Sequence, residues 1–236
     1  MSLSLVPQSL RFSPTSLLGQ LDHASLTNLI GRANVMEVSK RKVIIEENSE
    51  NQNIYFVLGG RVRASYISED GKEISLADIG PGDCFGEFSV IDGQPTSAAV
   101  AATEDSRIAA IGRSRFHELL GDNQAFVHAL LRYLVTKIRQ RTKRIVEFSA
   151  LPVSVRVRAE LLRLAKPDPI NHDTGTIPQP PTQSELATFI SSHREAVARE
   201  MAALARTGLV TRSSGGLVIR SLSELRASVV GSADIL

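Results

Sequence analysis

The chain has 236 residues, enough for one large or two modest domains, and 42% of them are apolar, which is enough to bury a core. Its 27 basic and 25 acidic side chains leave a net charge of +2, which argues against a wholly basic, non-specific nucleic-acid binder and confines any basic surface to a local patch. The single cysteine, Cys84, excludes a disulfide framework, and no apolar run approaches the about 18 residues of a membrane-spanning helix, so we expect a cytoplasmic protein. Residues 1–16 lack the pattern of a secretory leader and are expected to be loose.

Strand-like segments fill the first half of the chain after one short helix. Asp22 begins the predicted helix, which runs to about Arg32. The β-branched or alternating runs that follow are separated by turn signals such as Glu69-Asp70-Gly71, and they predict strands at 43–45, 54–58, 62–67, 73–79, 98–102 and 107–111. Many short strands at even spacing predict a small antiparallel barrel or sandwich.

A long helix is predicted from about Gln124 to Phe148. Apolar residues alternate spacings of four and three along it, namely Val127, Leu131, Leu134, Ile138, Ile145 and Phe148. Arg141, with Thr142 beside it, is the polar interruption, and such an interruption fixes register or meets something polar. The heptad pattern and its charged flanks favour a parallel dimer, although a helix packed on its own barrel gives the same stripe.

The second half of the chain begins at a candidate hinge, Leu151-Pro152. An amphipathic helix is predicted at 153–165, and residues 166–181, rich in Pro, Asp, Asn and Gly, are predicted to form a loop. Gly208 then ends the last helix of the next motif, and the apolar runs at 209–210 and 217–219 flank a Ser-Gly turn, which predicts a hairpin.

Between that loop and Gly208, residues 182–204 predict two short helices joined by a tight turn. Thr182 and Glu185 form a capping-box pattern for the first helix, and Ser191 and Ser192 can cap the second. The buried stripe of the second helix is predicted to be Val197, Met201 and Leu204. With the hairpin after it, this is a winged helix-turn-helix.

Three charged residues, Arg194, Glu195 and Arg199, lie on the first turns of the second helix and off its apolar stripe. A helix-turn-helix places such positions against base edges, where arginine grips guanine and a carboxylate accepts from cytosine. Taken alone, these charges favour a solvated helix face with an i,i+4 pair. The complete motif favours sequence-specific DNA reading.

A glycine turn followed by a short helix start lies between two predicted strands, at residues 82–100. Such a turn presents backbone N–H groups to an anion. Glu87 can accept a hydrogen bond from a sugar hydroxyl, and Ser97 can donate one to a phosphate oxygen. By themselves these residues are weak evidence, because a Gly-Glu pair at a strand end is usually only a turn.

The order of these parts, over about residues 17 to 220, resembles the cyclic-AMP receptor protein (CRP/FNR) family of bacterial transcription regulators. The run Phe85-Gly-Glu-Phe-Ser, with Asp92-Gly-Gln-Pro-Thr-Ser-Ala, is similar to the family's phosphate-binding cassette, and Ser192 to Arg199 is similar to its recognition helix. The resemblance implies an α+β fold in three parts: a β-barrel (jelly-roll) sensor domain at 17–122, a dimerisation helix at 123–150 and a winged helix-turn-helix at 151–222.

The resemblance also implies a homodimer that binds palindromic double-stranded DNA, works with RNA polymerase and takes a cyclic nucleotide as its effector. The expected ligand contacts are Leu76, Gly86, Glu87, Phe88, Ser89, Ser97, Ala98 and Thr142, together with Thr96 and Arg141, where the chain differs from the family. The DNA contacts that the resemblance implies are Thr182, Ser192, Arg194, Glu195 and Arg199.

The serious departure from the family pattern is Thr96, which stands where cyclic-nucleotide binders carry a phosphate-pairing arginine. Loss of that ionic bond costs about 1.5–3 kcal/mol, or roughly one to two decades in affinity. Arg141, where the family often has a small hydroxyl residue, suits the acceptors of guanine. We therefore expect a regulator responsive to cyclic AMP, cyclic GMP or both; the alternative is a regulator of the same family that binds DNA constitutively or answers another effector.

An enzyme is not expected, because no triad, metal-binding motif, supported carboxylate pair or P-loop is present in the sequence. One cysteine cannot hold an iron–sulfur cluster. A haem would need axial ligands, such as Cys84 with His23, His117 or His128, but Cys84 is expected to be a small packed residue. We therefore expect no metal, haem or iron–sulfur cluster.

Overall fold

The computed structural model describes residues 12–68 and 73–230 of the chain, and these form two compact units. The boundary between the units falls between Arg139 and Gln140, inside the long helix. The predicted turn signal at 69–71 and residues 1–11 of the predicted loose N-terminus lie outside the described residues.

The first unit contains two four-stranded antiparallel sheets with short helices around them. Its elements are α1 (His23–Gly31), β1 (Asn34–Val38), β2 (Val43–Ile45), β3 (Asn53–Gly59), β4 (Val62–Ile67), β5 (Glu73–Ile79), β6 (Cys84–Phe85), α2 (Glu87–Asp92), β7 (Ala99–Ala102), β8 (Ser106–Gly112), α3 (Arg113–Asp122) and the start of α4 (Gln124–Ala150). The sheet orders are β1-β8-β3-β6 and β2-β7-β4-β5. This arrangement confirms the predicted antiparallel sensor fold.

Among the strands and α-helices given above, β1, β6 and α3 were not predicted. Strand β1 is mostly half-buried or exposed, so its sequence carries little apolar alternation. Strand β6 has only two residues, and α3 begins after Gly112 without a side-chain cap and buries only Phe116 and Leu119. Each of these elements is defined by its packing partners rather than by its local pattern.

The segment just before α1 is ordered, so the expectation of a loose N-terminus is wrong for residues 12–16. The Ser16 hydroxyl donates to the carbonyl of Ser13 at 2.7 Å, and the backbone N–H of Leu18 donates to the carbonyl of Gly82 at 2.9 Å. Leu17 and Leu18 are buried in the core of the unit. Their burial, which a short apolar pair does not reveal in sequence, fixes the segment.

The second unit is a helical domain with one small antiparallel sheet. After the end of α4 it contains α5 (Val153–Leu164), β9 (Lys166–Pro167), β10 (Gly175–Ile177), α6 (Gln183–Phe189), α7 (Arg194–Arg206), β11 (Val210–Ser213), β12 (Gly216–Ile219) and α8 (Leu222–Val230). The sheet order is β11-β12-β10-β9. The predicted winged helix-turn-helix is confirmed.

The prediction of a simple loop at 166–181 is wrong in part, because β9 and β10 lie within it and extend the sheet of the wing. Helix α8 was not predicted either. Its Leu222 and Leu225 are buried in the same core as Val157 and Leu161 of α5. Both additions depend on contacts that are distant in sequence.

Candidate functional site

The cassette begins at Gly86, which lies in the left-handed backbone region with φ of +75° and directly precedes α2. A Cβ atom there would lie 2.8 Å from the carbonyl oxygen of Asn53 and 2.9 Å from the side-chain nitrogen of Asn51. The buried Asn51 amide donates to the carbonyls of Asn53 (2.6 Å) and Gly86 (3.2 Å). Glycine is therefore required at this position, and Asn51, which sequence reasoning missed, holds it in place.

Helix α2 carries the next three predicted ligand contacts, and these differ in how far their side chains are exposed. Glu87 is half-buried at its first residue, Phe88 is 58% exposed, and Ser89 is buried. The guanidinium of Arg113 donates to the carbonyls of Ser89 (2.8 Å) and Val90 (3.2 Å). Arg113 thus satisfies carbonyls near the end of a six-residue helix, a role that a lone arginine in the sequence does not signal.

The other end of the cassette is fixed through Thr96, which is buried. Its hydroxyl donates to the carbonyl of Glu46 at 2.6 Å and accepts from the backbone N–H of Ser49 at 2.9 Å. Its own backbone N–H donates to the carbonyl of Ser49 at 2.9 Å. The segment between β2 and β3 therefore holds both ends of the cassette, through Asn51 at Gly86 and through Glu46 and Ser49 at Thr96.

The remaining predicted contacts of the first unit lie at the surface. Ser97 is exposed, and Ala98 is half-buried beside it. Leu76 is 40% exposed on β5, next to an irregularity in the pairing of β4 with β5. Arg141 and Thr142 belong to the second unit, where both are exposed on α4.

The strand that leads into the cassette is attached to α4 within the first unit. Lys137 Nζ lies 2.9 Å from the Asp83 carboxylate, and the backbone N–H of Cys84 donates to the Tyr133 hydroxyl at 3.4 Å. Burial raises the pKa of the Cys84 thiol well above its usual value, with a further contribution from Glu87 and Asp83, and burial also raises the pKa of Tyr133. Cys84 is a packed core residue, as the sequence predicted.

Residues 12–68 and 73–230 contain neither a metal-binding cluster nor a membrane-spanning helix. No group of three or more His, Cys, Asp or Glu side chains is placed to hold a metal ion. No helix in that part of the chain is long and apolar enough to cross a membrane.

The helix-turn-helix opens with the predicted capping box. The exposed Thr182 accepts from the backbone N–H of Glu185 at 3.2 Å, and the Glu185 carboxylate accepts from the backbone N–H of Thr182 at 2.8 Å. The predicted capping of the second helix by Ser191 and Ser192 is wrong, since His193 is the N-cap and makes no side-chain cap bond.

The two serines form the turn itself. Ser191 has a φ of +49°, and the backbone N–H of Ser192, which is buried, donates to the carbonyl of Ala187 at 2.9 Å. A Ser-Ser sequence is compatible with a helix cap and with a turn. The backbone hydrogen bonds of the folded chain show that these two serines form the turn.

Helix α7 presents its charged residues to the outside. Arg194, Glu195 and Arg199 are exposed on its first two turns, while Val197 and Leu204 are buried in the core of the unit. Seated in a major groove, a helix of this kind reaches bases with the residues of its N-terminal turns.

A two-sheet domain with a glycine-led cassette, followed by a winged helix-turn-helix with an exposed charged helix, defines a DNA-binding transcription regulator with a sensor domain. Residues 35–123 match the family model of the cyclic nucleotide-binding domain, and residues 155–228 match that of the Crp-like helix-turn-helix domain. The chain belongs to the CRP/FNR family of transcription regulators. The prediction of a regulator rather than an enzyme is confirmed.

Two relatives illustrate the similarity in sequence. The chain is 30% identical over 192 residues to the cyclic AMP receptor protein of Thermus thermophilus, covering 81% of this chain and 86% of that protein. It is 24% identical over 212 residues to the CRP-like cAMP-activated global transcriptional regulator of Mycobacterium tuberculosis, covering 86% of this chain and 91% of that protein.

Solved structures of lower identity share the fold. A CooA mutant from Carboxydothermus hydrogenoformans superposes with a TM-score of 0.76 at 19% identity, covering 93% of this chain and 98% of that one. The c-di-GMP responsive regulator CLP of Xanthomonas campestris gives 0.72 at 18% identity, covering 84% of this chain and 99% of that one. At sequence identities this low, the similarity to these two structures shows a shared fold and nothing further.

Proposed function

We propose that the protein is a homodimer that binds palindromic DNA and that a cyclic nucleotide, cyclic AMP or cyclic GMP, gates this binding. The observation that carries the proposal is the cassette of the first unit, in which Gly86 and Thr96 are both held from one segment, in a chain whose second unit carries the exposed charged residues of α7. In this role the protein works in the cytoplasm with RNA polymerase. Its division at about 17–122, 123–150 and 151–222 into sensor, dimerisation helix and DNA-binding domain is part of the proposal.

An exposed apolar stripe on α4 supports the homodimer. Leu131, Val135, Ile138 and Ile145 are each half or more exposed, at spacings of four, three and seven. Such a stripe gains about 1.5–3 kcal/mol for each large apolar side chain that a partner helix buries fully.

The exposed stripe differs from the predicted seam. Leu134 packs against the core of the first unit, and Phe148 lies under the Arg144 guanidinium in the second. The position that continues the exposed spacing between Ile138 and Ile145 is Thr142. Periodicity alone does not distinguish an inward from an outward stripe on one helix. In the proposed dimer, Thr142 and the adjacent Arg141 meet the nucleotide base from the seam.

The direct DNA contacts proposed for α7 are Arg194 and Arg199 to guanine and Glu195 to cytosine. Thr182, at the start of α6, and Ser192, in the turn, lie where backbone phosphates pass in this docking mode. The exposure of the three charged residues of α7 supports this assignment.

The proposed ligand contacts have different roles. Glu87 accepts from the ribose hydroxyl, while the exposed Ser97 and the backbone of Ala98 donate to the cyclic phosphate. Gly86, Phe88, Ser89 and Leu76 line the pocket. Thr96 shapes its loop, because both its hydroxyl and its backbone N–H already donate within the protein.

The engaged Thr96 also favours a second candidate, a regulator of the same family that binds DNA without a cyclic nucleotide. With no arginine at this position, a cyclic phosphate loses about 1.5–3 kcal/mol of charge-assisted hydrogen bonding. In this candidate the sensor domain is a scaffold or answers another effector.

One titration separates the two candidates. Fluorescence anisotropy is measured on a palindrome of the TGTGA…TCACA type, which the family resemblance implies, at fixed salt, since phosphate contacts make affinity steeply salt-dependent. The arms are no ligand, cyclic AMP, cyclic GMP and non-cyclic AMP as the control. If binding to DNA is tighter with a cyclic nucleotide but not with non-cyclic AMP, the result supports gating. Equal binding in all arms supports the second candidate. Light scattering of the free protein tests the dimer, and a monomer at the DNA-binding concentration would refute it.

A further inference from the structure

Two buried carboxylates in the second unit are held by two arginines in a closed ring. Glu147 on α4 and Glu160 on α5 are both buried. Glu160 accepts from Arg144 at 2.5 Å and from Arg163 at 2.7 Å; Arg163 also donates to Glu147, and Arg144 lies 3.9 Å from Glu147. We call Arg144, Glu147, Glu160 and Arg163 the arginine–glutamate ring. Each helix supplies one arginine and one glutamate, three residues apart.

Arg144 extends this ring to the turn of the helix-turn-helix. Its second terminal nitrogen donates to the carbonyl of Phe189, the last residue of α6, at 2.7 Å. Arg156 of α5 donates to the next carbonyl, that of Ile190, at 2.8 Å. Both guanidinium groups lie within 6 Å of the Phe148 ring centroid on α4, at 5.1 and 5.9 Å. The turn that precedes the reading helix is thus attached to α4 and to α5 by separate arginines.

Stability alone does not account for a ring of this kind. Replacing a buried ion pair by packed apolar side chains is often neutral or stabilising, because desolvation offsets most of the Coulombic gain. What the arginine fork provides is direction, since its planar N–H groups bind two acceptors at fixed angles. Arg144 uses them on a carboxylate of α5 and a carbonyl of α6, which fixes both helices to one turn of α4.

We propose that Arg144 is a positioning residue that sets the placement of the reading helix on α4, and thereby the half-site spacing that the protein accepts in DNA. The inference rests on the proposed homodimer, in which α4 lies at the two-fold axis. A helix-turn-helix dimer reads half-sites about one DNA turn apart, so each reading helix must be held at a fixed place on its own α4. Arg141 and Thr142, the proposed ligand contacts, lie less than one turn before Arg144 on the same helix.

The test compares Arg144→Lys and Arg144→Gln with the wild type on palindromes of correct spacing and of spacing changed by two base pairs. Such a change rotates one half-site against the other by about 70°. Lysine keeps the charge beside Glu160 but cannot bind two acceptors in a fork, so both variants are expected to lose roughly 2- to 30-fold of the discrimination between spacings. Affinity for a single half-site should stay within about twofold of the wild-type value, because the reading residues of α7 are untouched.

The matched control is Arg158→Gln, which breaks a 2.7 Å pair with the buried Glu200 and involves α5 and α7 but not α4. It should lower thermal stability about as much as Arg144→Gln while leaving spacing discrimination unchanged. If the glutamine variant does not fold, the charge-retaining lysine variant carries the comparison.

Hydrogen exchange of the amides at 189–193 supplies a readout that does not depend on DNA. These amides should exchange faster in Arg144→Lys than in the wild type and in Arg158→Gln. A folded Arg144→Lys protein with wild-type spacing discrimination would overturn the proposal. A wild type without any spacing preference would instead refute the proposed palindrome-binding dimer, and unchanged exchange at 189–193 would then also overturn the positioning role of Arg144.

Discussion

The hydroxyl of Thr96 donates a 2.6 Å hydrogen bond to the backbone carbonyl of Glu46, across 50 residues of sequence. The same oxygen accepts from the backbone N–H of Ser49 at 2.9 Å. Where the family resemblance implies an arginine for the phosphate, this chain has a buried threonine whose hydrogen bonds join the cassette to the segment after β2. The substitution therefore exchanges a ligand contact for a structural one.

The first prediction concerns the contribution of the Thr96 hydrogen bonds to the stability of the protein. Thr96→Val keeps the shape of the side chain but leaves the Ser49 N–H without its acceptor and removes one of the two hydroxyl donors to the Glu46 carbonyl, the other being Ser49. This should lower the free energy of unfolding by about 1–3 kcal/mol. Thr96→Ser retains the hydroxyl and is the control, with a smaller loss. Urea unfolding measures both variants, and a valine variant as stable as the serine one would contradict the assignment.

The second prediction restores the missing cation. Thr96→Arg should tighten cyclic AMP binding by about 10- to 100-fold, because an arginine–phosphate pair contributes about 1.5–3 kcal/mol. The variant should also be less stable than the wild type, since the hydrogen bond from the threonine hydroxyl to the Glu46 carbonyl is lost. Thr96→Met, long but uncharged, separates charge from shape in calorimetric titrations. Equal affinities of the arginine and methionine variants would show that the phosphate does not lie at this position.

The third prediction tests the glycine at the start of the cassette. Gly86→Ala should destabilise the protein by about 1–3 kcal/mol and weaken ligand binding, because its Cβ would lie 2.8 Å from the Asn53 carbonyl at a φ of +75°. The control is Gly31→Ala in α1, where a Cβ meets nothing within 4 Å and stability should hold or rise slightly. Thermal melts compare the two, and a neutral Gly86→Ala would show that the cassette backbone adapts.

The sequence predicted the elements whose pattern is local and missed those defined by distant partners. Strands β4 and β5 were predicted at their observed bounds, because apolar alternation ends at clear turn signals. The capping box of Thr182 and Glu185 was predicted because both partners lie within four residues. Asn51 and Arg113 were missed since each binds carbonyls contributed by other elements, and backbone acceptors leave no residue signature. Leu134 was placed on the exposed seam because helical period does not show which stripe the first unit covers.

The fourth prediction follows from the burial of Cys84 and Tyr133. Burial raises the pKa of both groups in the folded protein, so the unfolded chain loses these protons at lower pH than the folded protein does. Their contribution to stability is complete below the unfolded cysteine pKa of about 8.5 and is lost as the pH rises above it. The free energy of unfolding should therefore fall between about pH 8 and pH 10, and Cys84→Ala should remove the part of the slope that begins near pH 8.5.

Thiol labelling gives an independent readout of the same burial. Because the thiolate is the reactive form, a disulfide reagent at pH 8 should modify Cys84 only after denaturation. Rapid labelling of the native protein, or an unchanged pH slope in Cys84→Ala, would contradict the described environment of this thiol.

The fifth prediction concerns the reading helix. Arg194→Ala and Arg199→Ala should each cost about 1–3 kcal/mol on the correct palindrome and relax the base preference at one position of each half-site. Arg206→Ala, on the last turn of the same helix, removes an equal charge about 18 Å from Arg194 along the axis and is the control. Anisotropy on the palindrome and on a random duplex, at one salt concentration, separates base contacts from phosphate contacts. Because a phosphate contact supports both duplexes alike, an equal loss on both would place that arginine on the DNA backbone instead of on a base.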